Sequence, residues 1–313
     1  MLEAIATNLL KDFQEKFEAA CGKKFVFLLV GRTGVGKSST VNTLMGQQIA
    51  PVGDYEPTTM AVEEHDSEIR GIQFKVIDTP GLCDDLEETE NDYKYLELIR
   101  SKVKHIDSMW FISRLDETRV TNDEKRGIKL ISEALGSKVW ERAVIIFTFA
   151  NNKDASNYPI ALQKRTELIR KEIAKYVEAE IANNVPSVAV DNKSETTPDG
   201  EKWLGELCTK VFTRISQQAA IPFLLAATKF EKPKRQESPR YEAPRYEVAS
   251  YEHPRIEFND RQNQEIQNRI SADIIPGAAL AGATAGAAFG PAGAAIGGLA
   301  GAAIGVVAWF FGR

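Results

Sequence analysis

The stretch Gly31–Ser38, GRTGVGKS, directly follows the apolar run Phe25–Val30, FVFLLV. It fits the pattern Gly, four residues, Gly-Lys-Ser, which cradles phosphate when a strand precedes it and a helix follows. Glycines at 31, 34 and 36 let backbone N–H groups converge on an anion where side chains would clash. The helix opening at the loop adds its positive dipole end. Gly31, Arg32, Thr33, Gly34, Val35, Gly36, Lys37, Ser38 and Ser39 are therefore expected to wrap the phosphates of a nucleotide. Lys37 would reach the β and γ phosphates, and the Ser38 hydroxyl would ligate magnesium. Such a loop implies a three-layer α/β domain with a mostly parallel sheet.

Downstream segments read as the moving parts of a nucleotide switch. Gln47–Met60, with Pro51, Gly53 and Pro57, is expected to be a mobile loop ending at Thr58-Thr59. A threonine there ligates magnesium and senses the γ phosphate; Thr59 is favoured, Thr58 competes, and a plain capping pair is the simpler reading. Ala61–Arg70 and Ile72–Ile77 read as a hairpin broken at Gly71, and its second strand delivers Asp78-Thr79-Pro80-Gly81. Asp78 is a candidate for the magnesium shell and the Gly81 N–H for the γ phosphate. About forty residues after a phosphate loop, this tetrapeptide favours a GTPase over a kinase or a general ATPase. Leu82 follows where Ras-like enzymes carry the glutamine that orients water, so intrinsic hydrolysis should be slow.

Tyr93–Ile106 is expected to be a helix with Tyr93, Leu96, Ile99 and Val103 on one face, followed by a strand at Ser108–Leu115. Asn122–Leu135 is a helix that Gly136 can cap, and Ala143–Phe149 suits a strand buried on both faces. That strand ends at Thr148-Phe149-Ala150-Asn151, where ordinary GTPases have Asn-Lys-x-Asp. If Thr148 takes the Asn place, Phe149 would stack on the base and the Asn151 amide would read guanine, without the charge that strengthens such a bond. Asn152-Lys153-Asp154 resembles the ordinary motif without its spacer and is taken as a decoy, although Asp154 could approach the base. Tyr158–Ala182 reads as one long charged helix, and Pro186–Asp191 as a short strand placing Asn192 in a last base-contacting loop. Glu201–Lys229 closes the domain as a helix burying Trp203, Leu207, Val211 and Ile215.

The ends of the chain differ in character. Leu2, Ile5, Leu9, Phe13 and Phe17 make Met1–Ala20 an amphipathic helix rather than a signal peptide, given Glu3, Lys11, Asp12 and Glu15. Ser238–Glu257 repeats SPRYE, APRYE, VASYE and HPRIE, a composition that builds no core and reads as an extended, disordered spacer. Ile274–Gly312 carries no charge, and its glycines at 282, 286 and 290, then 293, 297, 301 and 305, fall in a helical stripe, a glycine zipper. Gly290-Pro291 divides it into arms of about 16 and 20 residues, close to the roughly 20 that span a bilayer. A membrane-inserting helical hairpin anchored by Trp309, Phe310 and Phe311 is the expected tail, with a flexible self-associating segment as the plainer reading.

The organisation expected is thus an N-terminal helix over 1–22, a G domain over 23–230, a low-complexity linker over 231–270 and a glycine-rich tail over 271–313. A net charge of −5 without a long basic run argues against nucleic acid as a partner. Cys21, Cys83 and Cys208 have neither metal-ligand nor disulfide spacing, which points to a reducing compartment.

Gly31–Gly46 (GRTGVGKSSTVNTLMG), Asp78–Gly81 and Arg114–Lys125 (RLDETRVTNDEK), with the places of Thr148–Asn151 and Asp191-Asn192, resemble the avirulence-induced (AIG1), immunity-associated GTPase family. Within it the likeness is greatest to the chloroplast outer-envelope import-receptor GTPases, over about Phe25–Phe212. The resemblance implies binding of GTP or GDP with Mg2+ and a homodimer through the G domain. It also implies that Arg119 is directed at the partner's nucleotide, where an arginine in trans offsets phosphate charge and partly compensates for Leu82. Similar proteins carry a C-terminal membrane segment, usually a single helix, and the paired arms here depart from that. The expected function is a membrane-anchored GTP switch with slow, dimer-assisted hydrolysis, the G domain facing the cytosol. The alternative is a nucleotide-gated receptor or scaffold with negligible turnover.

Overall fold

The computed structural model describes residues 23–46, 63–69, 72–79, 90–227, 256 and 258–274. The N-terminal helix, the loop ending at Thr58-Thr59, Pro80–Thr89 with Gly81 and Leu82, most of the repeat region and the glycine-rich tail lie outside these residues.

Six strands form one sheet: β1 (Lys24–Val30), β2 (Glu63–Ile69), β3 (Ile72–Asp78), β4 (Ser108–Arg114), β5 (Ala143–Thr148) and β6 (Ser187–Ala189), in the order β2-β3-β1-β4-β5-β6. Only the β2–β3 pairing is antiparallel. β4 is buried at every position but its last and β5 throughout, as continuous apolar runs require between two helical layers. β2 is polar, and exposed Glu64, Asp66 and Glu68 charge the sheet edge against further pairing.

Alternation along the strands divides the core in two. Phe25, Phe27 and Leu29 of β1 join Phe74, Trp110 and Ile146 on one face, while Leu28 and Val30 join Ile77, Phe111 and Ile145 on the other. The first face is covered by α1 (Lys37–Met45), α7 (Trp203–Arg214) and α8 (Gln217–Ala227). The second carries α2 (Glu90–Lys102), α3 (Asn122–Leu135), the short α4 (Lys138–Glu141), α5 (Tyr158–Ile173) and α6 (Ala179–Asn184). The three-layer α/β expectation holds.

Three local expectations need correction. In α2 the buried face is set by Tyr95, Ile99 and, just beyond it, Val103, at a spacing of four, while Tyr93 is 68% exposed. The helix over 158–182 is two, because the chain turns after Ile173 to bring Ala182 and Val185 into the core, where the Arg170 guanidinium donates to the Val185 carbonyl at 2.6 and 2.9 Å. The helix over 201–229 is likewise divided at Ile215-Ser216; Ser216 donates its amide to the Asp107 carbonyl at 2.9 Å and its hydroxyl to the Asp107 carboxylate. Trp203, Leu207, Val211 and Ile215 are all buried, as their spacing requires.

A fourth concerns the linker. α9 (Asp260–Arg269) is a helix opened by a capping box between Asn259 and Gln262, and Ile266 and Ile270 are buried in the first core. Arg261 reaches Glu206 of α7 at 2.5 Å, Lys210 reaches Glu265 at 2.9 Å and Arg269 donates to the Ile215 carbonyl at 3.1 Å. Residues 258–270 are therefore part of the folded domain.

Candidate nucleotide site

The carboxyl ends of β1, β3, β4 and β5 meet where the strand order reverses around β1, the position at which open α/β sheets collect ligands. The loop Gly31–Gly36 joins β1 to α1 there. Gly34 and Gly36 have φ of 75° and 91°, and a Cβ on Gly31 would stand 2.3 Å from the Ile112 carbonyl oxygen. Glycine is thus demanded at 31 by space and at 36 by conformation.

Lys37 is 6% exposed. Its ammonium donates to the carbonyls of Gly31 at 3.0 Å and Arg32 at 3.1 Å and lies 3.6 Å from Asp78 Oδ1. Asp78 ends β3, and Thr79 fastens the following backbone by donating to the Leu29 carbonyl at 2.9 Å. Ser38 and Ser39 stand half-buried in the first turn of α1. This donor set fits a nucleotide with magnesium: a buried ammonium, a carboxylate and a hydroxyl share one helix N-terminus. A Cβ at Gly36 would fall 3.2 Å from Asn192 Nδ2 and 3.4 Å from the Thr148 methyl, so this backbone is kept bare on that side. Among the described residues no three His, Cys, Asp or Glu side chains form a metal cluster, and no helix is long and apolar enough to cross a membrane.

The end of β5 and the segments that follow it brace the loop. Thr148 is buried, and its hydroxyl lies 2.7 Å from the Val35 carbonyl and 3.1 Å from that of Ser113, tying phosphate loop, β4 and β5 together. Asn192 donates to Thr40 at 3.0 Å and so rests on α1. Phe149 has φ of 57°, a conformation rare for a bulky side chain, and its ring lies 4.0 Å from the Arg114 guanidinium carbon. Backbone held in such a region persists only where the surrounding structure over-determines it. The Asn151 amide side chain donates to the Thr196 carbonyl at 3.1 Å, and its backbone N–H to Asp191 at 3.1 Å. Asp154 accepts from Ser156 at 2.6 Å and from Asn157, at the start of α5. Asn152 and Lys153 instead reach the Arg114–Val120 loop, bonding Asp116 at 2.7 and 3.2 Å.

That loop is held by a buried ionic network. Arg165, 2% exposed, donates to Glu124 at 2.8 Å, to Ser113 at 2.7 Å and to the Arg119 carbonyl at 2.6 Å. Glu124 also caps α3, accepting from the Thr121 N–H at 2.8 Å. Arg119 is exposed, with no hydrogen bond from its guanidinium to another described residue. Arg165 carries no motif and was invisible in sequence; the capping pair Thr121-x-x-Glu124 was the readable part of the network.

Residues 26–238 match the model of the AIG1 family. The chain belongs to the AIG1 family. Among relatives of this AIG1 protein, translocase of chloroplast 33 of Arabidopsis thaliana is 27% identical over 65% of the chain and 73% of the relative. Translocase of chloroplast 101 of Physcomitrium patens is 24% identical over 64% of the chain, but only 23% of that longer relative is spanned. Two crystal structures of Arabidopsis thaliana Toc33 align over 66% of the chain. A dimerization-deficient arginine-to-alanine mutant gives 25% identity, a TM-score of 0.53 and 91% coverage of that chain. A complex with GDP and Mg2+ gives 26%, 0.51 and 90%.

In this AIG1 domain the bidentate Arg114 guanidinium, at 2.7 and 2.9 Å, together with Asn152, holds the Asp116 carboxyl down at about 2. An unfolded Asp titrates near 3.9, so a depressed folded value contributes stability that is full above about pH 4 and lost as pH falls toward 2. Asp116→Asn is therefore expected to cost about 1 to 2 kcal/mol at pH 6, the gap from the parent narrowing at pH 3 in urea unfolding. A gap independent of pH would remove Asp116 as its source.

Proposed function

We propose that this AIG1-family chain binds GTP and GDP with Mg2+ and hydrolyses GTP slowly, with help from a second copy, as a switch held at a membrane surface. The observation that carries the reading is the buried Lys37 ammonium, seated between the Gly31 and Arg32 carbonyls and Asp78 at the start of α1. The GDP and Mg2+ complex of the similar Toc33 supports the choice of ligand.

In this reading the loop N–H groups from Gly31 to Ser39 and Lys37 hold the phosphates, and Ser38, Thr59 and Asp78 hold magnesium. Magnesium, when bound, neutralises charge on the phosphates. Gly81 turns its N–H to the γ phosphate, while Phe149, Asn151 and Asn192 form the base side. Phe149 offers the base its face away from Arg114, with the strained backbone fixing the ring's orientation. Arg119 acts on the partner's nucleotide, and the dimerization-deficient arginine mutant of Toc33 supports an arginine at the contact between copies. The N-terminal helix and the spacer flank the G domain, whose folded part continues through α9. The uncharged tail from Ile274 inserts in the membrane and leaves the G domain in the cytosol.

Calorimetry of the 313-residue chain with GDP, GTP and ATP in magnesium tests the ligand. Guanine nucleotides are expected to bind at least about tenfold more tightly than ATP, a difference of about 1.4 kcal/mol. Equal ATP binding would overturn the base site. The second reading, a nucleotide-gated receptor with negligible turnover, is favoured by Leu82. Single-turnover hydrolysis that stays flat as protein concentration rises would select it.

A further inference from the structure

Arg32 lies within the phosphate loop, yet its guanidinium is paired with Glu117 and lies 3.8 Å from Asp123. Glu117 belongs to the loop that carries Arg119 two residues later. Its second carboxylate oxygen, Oε2, is buried without a hydrogen bond and lies 3.9 Å from Arg165, which in turn holds the Arg119 carbonyl at 2.6 Å. Arg165 ties the Arg119 loop to β4 and α3, elements that form the rigid core. Glu117 ties the same loop to the phosphate loop, the segment expected to wrap the nucleotide's phosphates.

We propose that the Arg32–Glu117 ion pair is a strut that couples the phosphate loop to the placement of Arg119, making Glu117 a positioning residue for hydrolysis assisted by the second copy. The inference rests on the reading of Arg119 given above. A charged pair of this kind is partly buried and direction-specific, so a shift of the loop backbone at Arg32 is passed to Glu117 rather than dissipated in solvent. Linkage is reciprocal: if nucleotide state moves the Arg119 loop, dimerisation must alter nucleotide affinity by the same factor.

The test uses the 313-residue chain with magnesium GDP, magnesium GTP and a non-hydrolysable GTP analogue. Glu117→Gln, and Glu117→Asp as a charged but shorter variant, are expected to bind GDP within about threefold of the parent. The gain in GTP turnover with protein concentration is expected to fall about tenfold or more, and dimer affinity to lose its dependence on GDP against the analogue. Should Glu117→Gln melt, Glu117→Asp carries the test. Either folded variant retaining the full concentration gain and the nucleotide-dependent dimer affinity overturns the strut. Arg119→Ala run in parallel separates the failures. If it also keeps the gain, the reading of Arg119 falls and the strut with it; if it loses the gain while the Glu117 variants keep it, the strut alone falls.

Discussion

Arg165→Met is expected to lower the free energy of unfolding by about 3 to 5 kcal/mol, measured by urea denaturation at neutral pH. The side chain is 2% exposed and Glu124 is 3% exposed, so removal of the cation leaves a carboxylate buried without its countercharge. Methionine fills most of the volume, which makes the loss electrostatic and not a cavity effect. Three acceptors lose a donor together: Glu124, Ser113 and the Arg119 carbonyl. A second change, Glu124→Gln, neutralises the stranded acid while keeping the reach needed to cap α3. The double variant should therefore recover part of the loss, a coupling a double-mutant cycle reads directly. A loss below about 1 kcal/mol for Arg165→Met would show that the network is solvated and that the Arg119 loop is held by other means.

Arg119→Ala is expected to reduce concentration-dependent GTP turnover by about a thousandfold, the lower end of what an arginine supplied in trans contributes. Binding of GDP by the single chain should stay within about threefold, since the exposed guanidinium bonds no described residue of its own site. The measurement is turnover against protein concentration beside calorimetric affinity. Unchanged turnover would assign the gain, where one exists, to another group. Stability should move by only a few tenths of a kcal/mol, because an exposed side chain is removed while the Arg119 carbonyl keeps its bond to Arg165. Arg165 and Arg119 thus separate cleanly: one variant unfolds the support, the other disarms the tip.

Much of the site was legible from adjacency in sequence. GRTGVGKS after FVFLLV names the loop, its strand and its helix together, and Asp78 at the end of β3 follows from the hairpin that delivers it. What sequence could not order was what only tertiary structure decides. The supports of Asn151 and Asn192 are of this kind: the Asn151 amide N–H donates to the Thr196 carbonyl, leaving its oxygen for a base, and Asn192 rests on Thr40. Thr148 was placed in the motif by its position after the strand, but spacing does not reveal that its hydroxyl joins three segments of the site, because β5 buries it against Val35 and Ser113. Phe149 shows the limit most plainly, since neither its left-handed backbone nor Arg114 above its ring is encoded by spacing. Some misses had readable signals. Tyr95 and Ile99, with Val103 next in step, describe the buried face of α2 better than any set containing Tyr93, and Asn259-x-x-Gln262 announces a helix within a stretch dominated by charge.

The docking of α9 changes what the repeat region can do mechanically. Ala227 at the end of α8 and Phe258 just before α9 both pack against the same core, so the chain is fastened to one body on either side of the repeat region. A segment fastened at both ends to one body is a closed loop and not a leash. Lengthening or shortening it would leave the reach of whatever follows Ile274 unchanged. That reach begins instead at Ile270, a fixed point on the domain held by Arg269 and its bond to the Ile215 carbonyl. Whatever the end of this chain does is therefore tied to the α7–α9 side of the domain and not to the length of the repeat region.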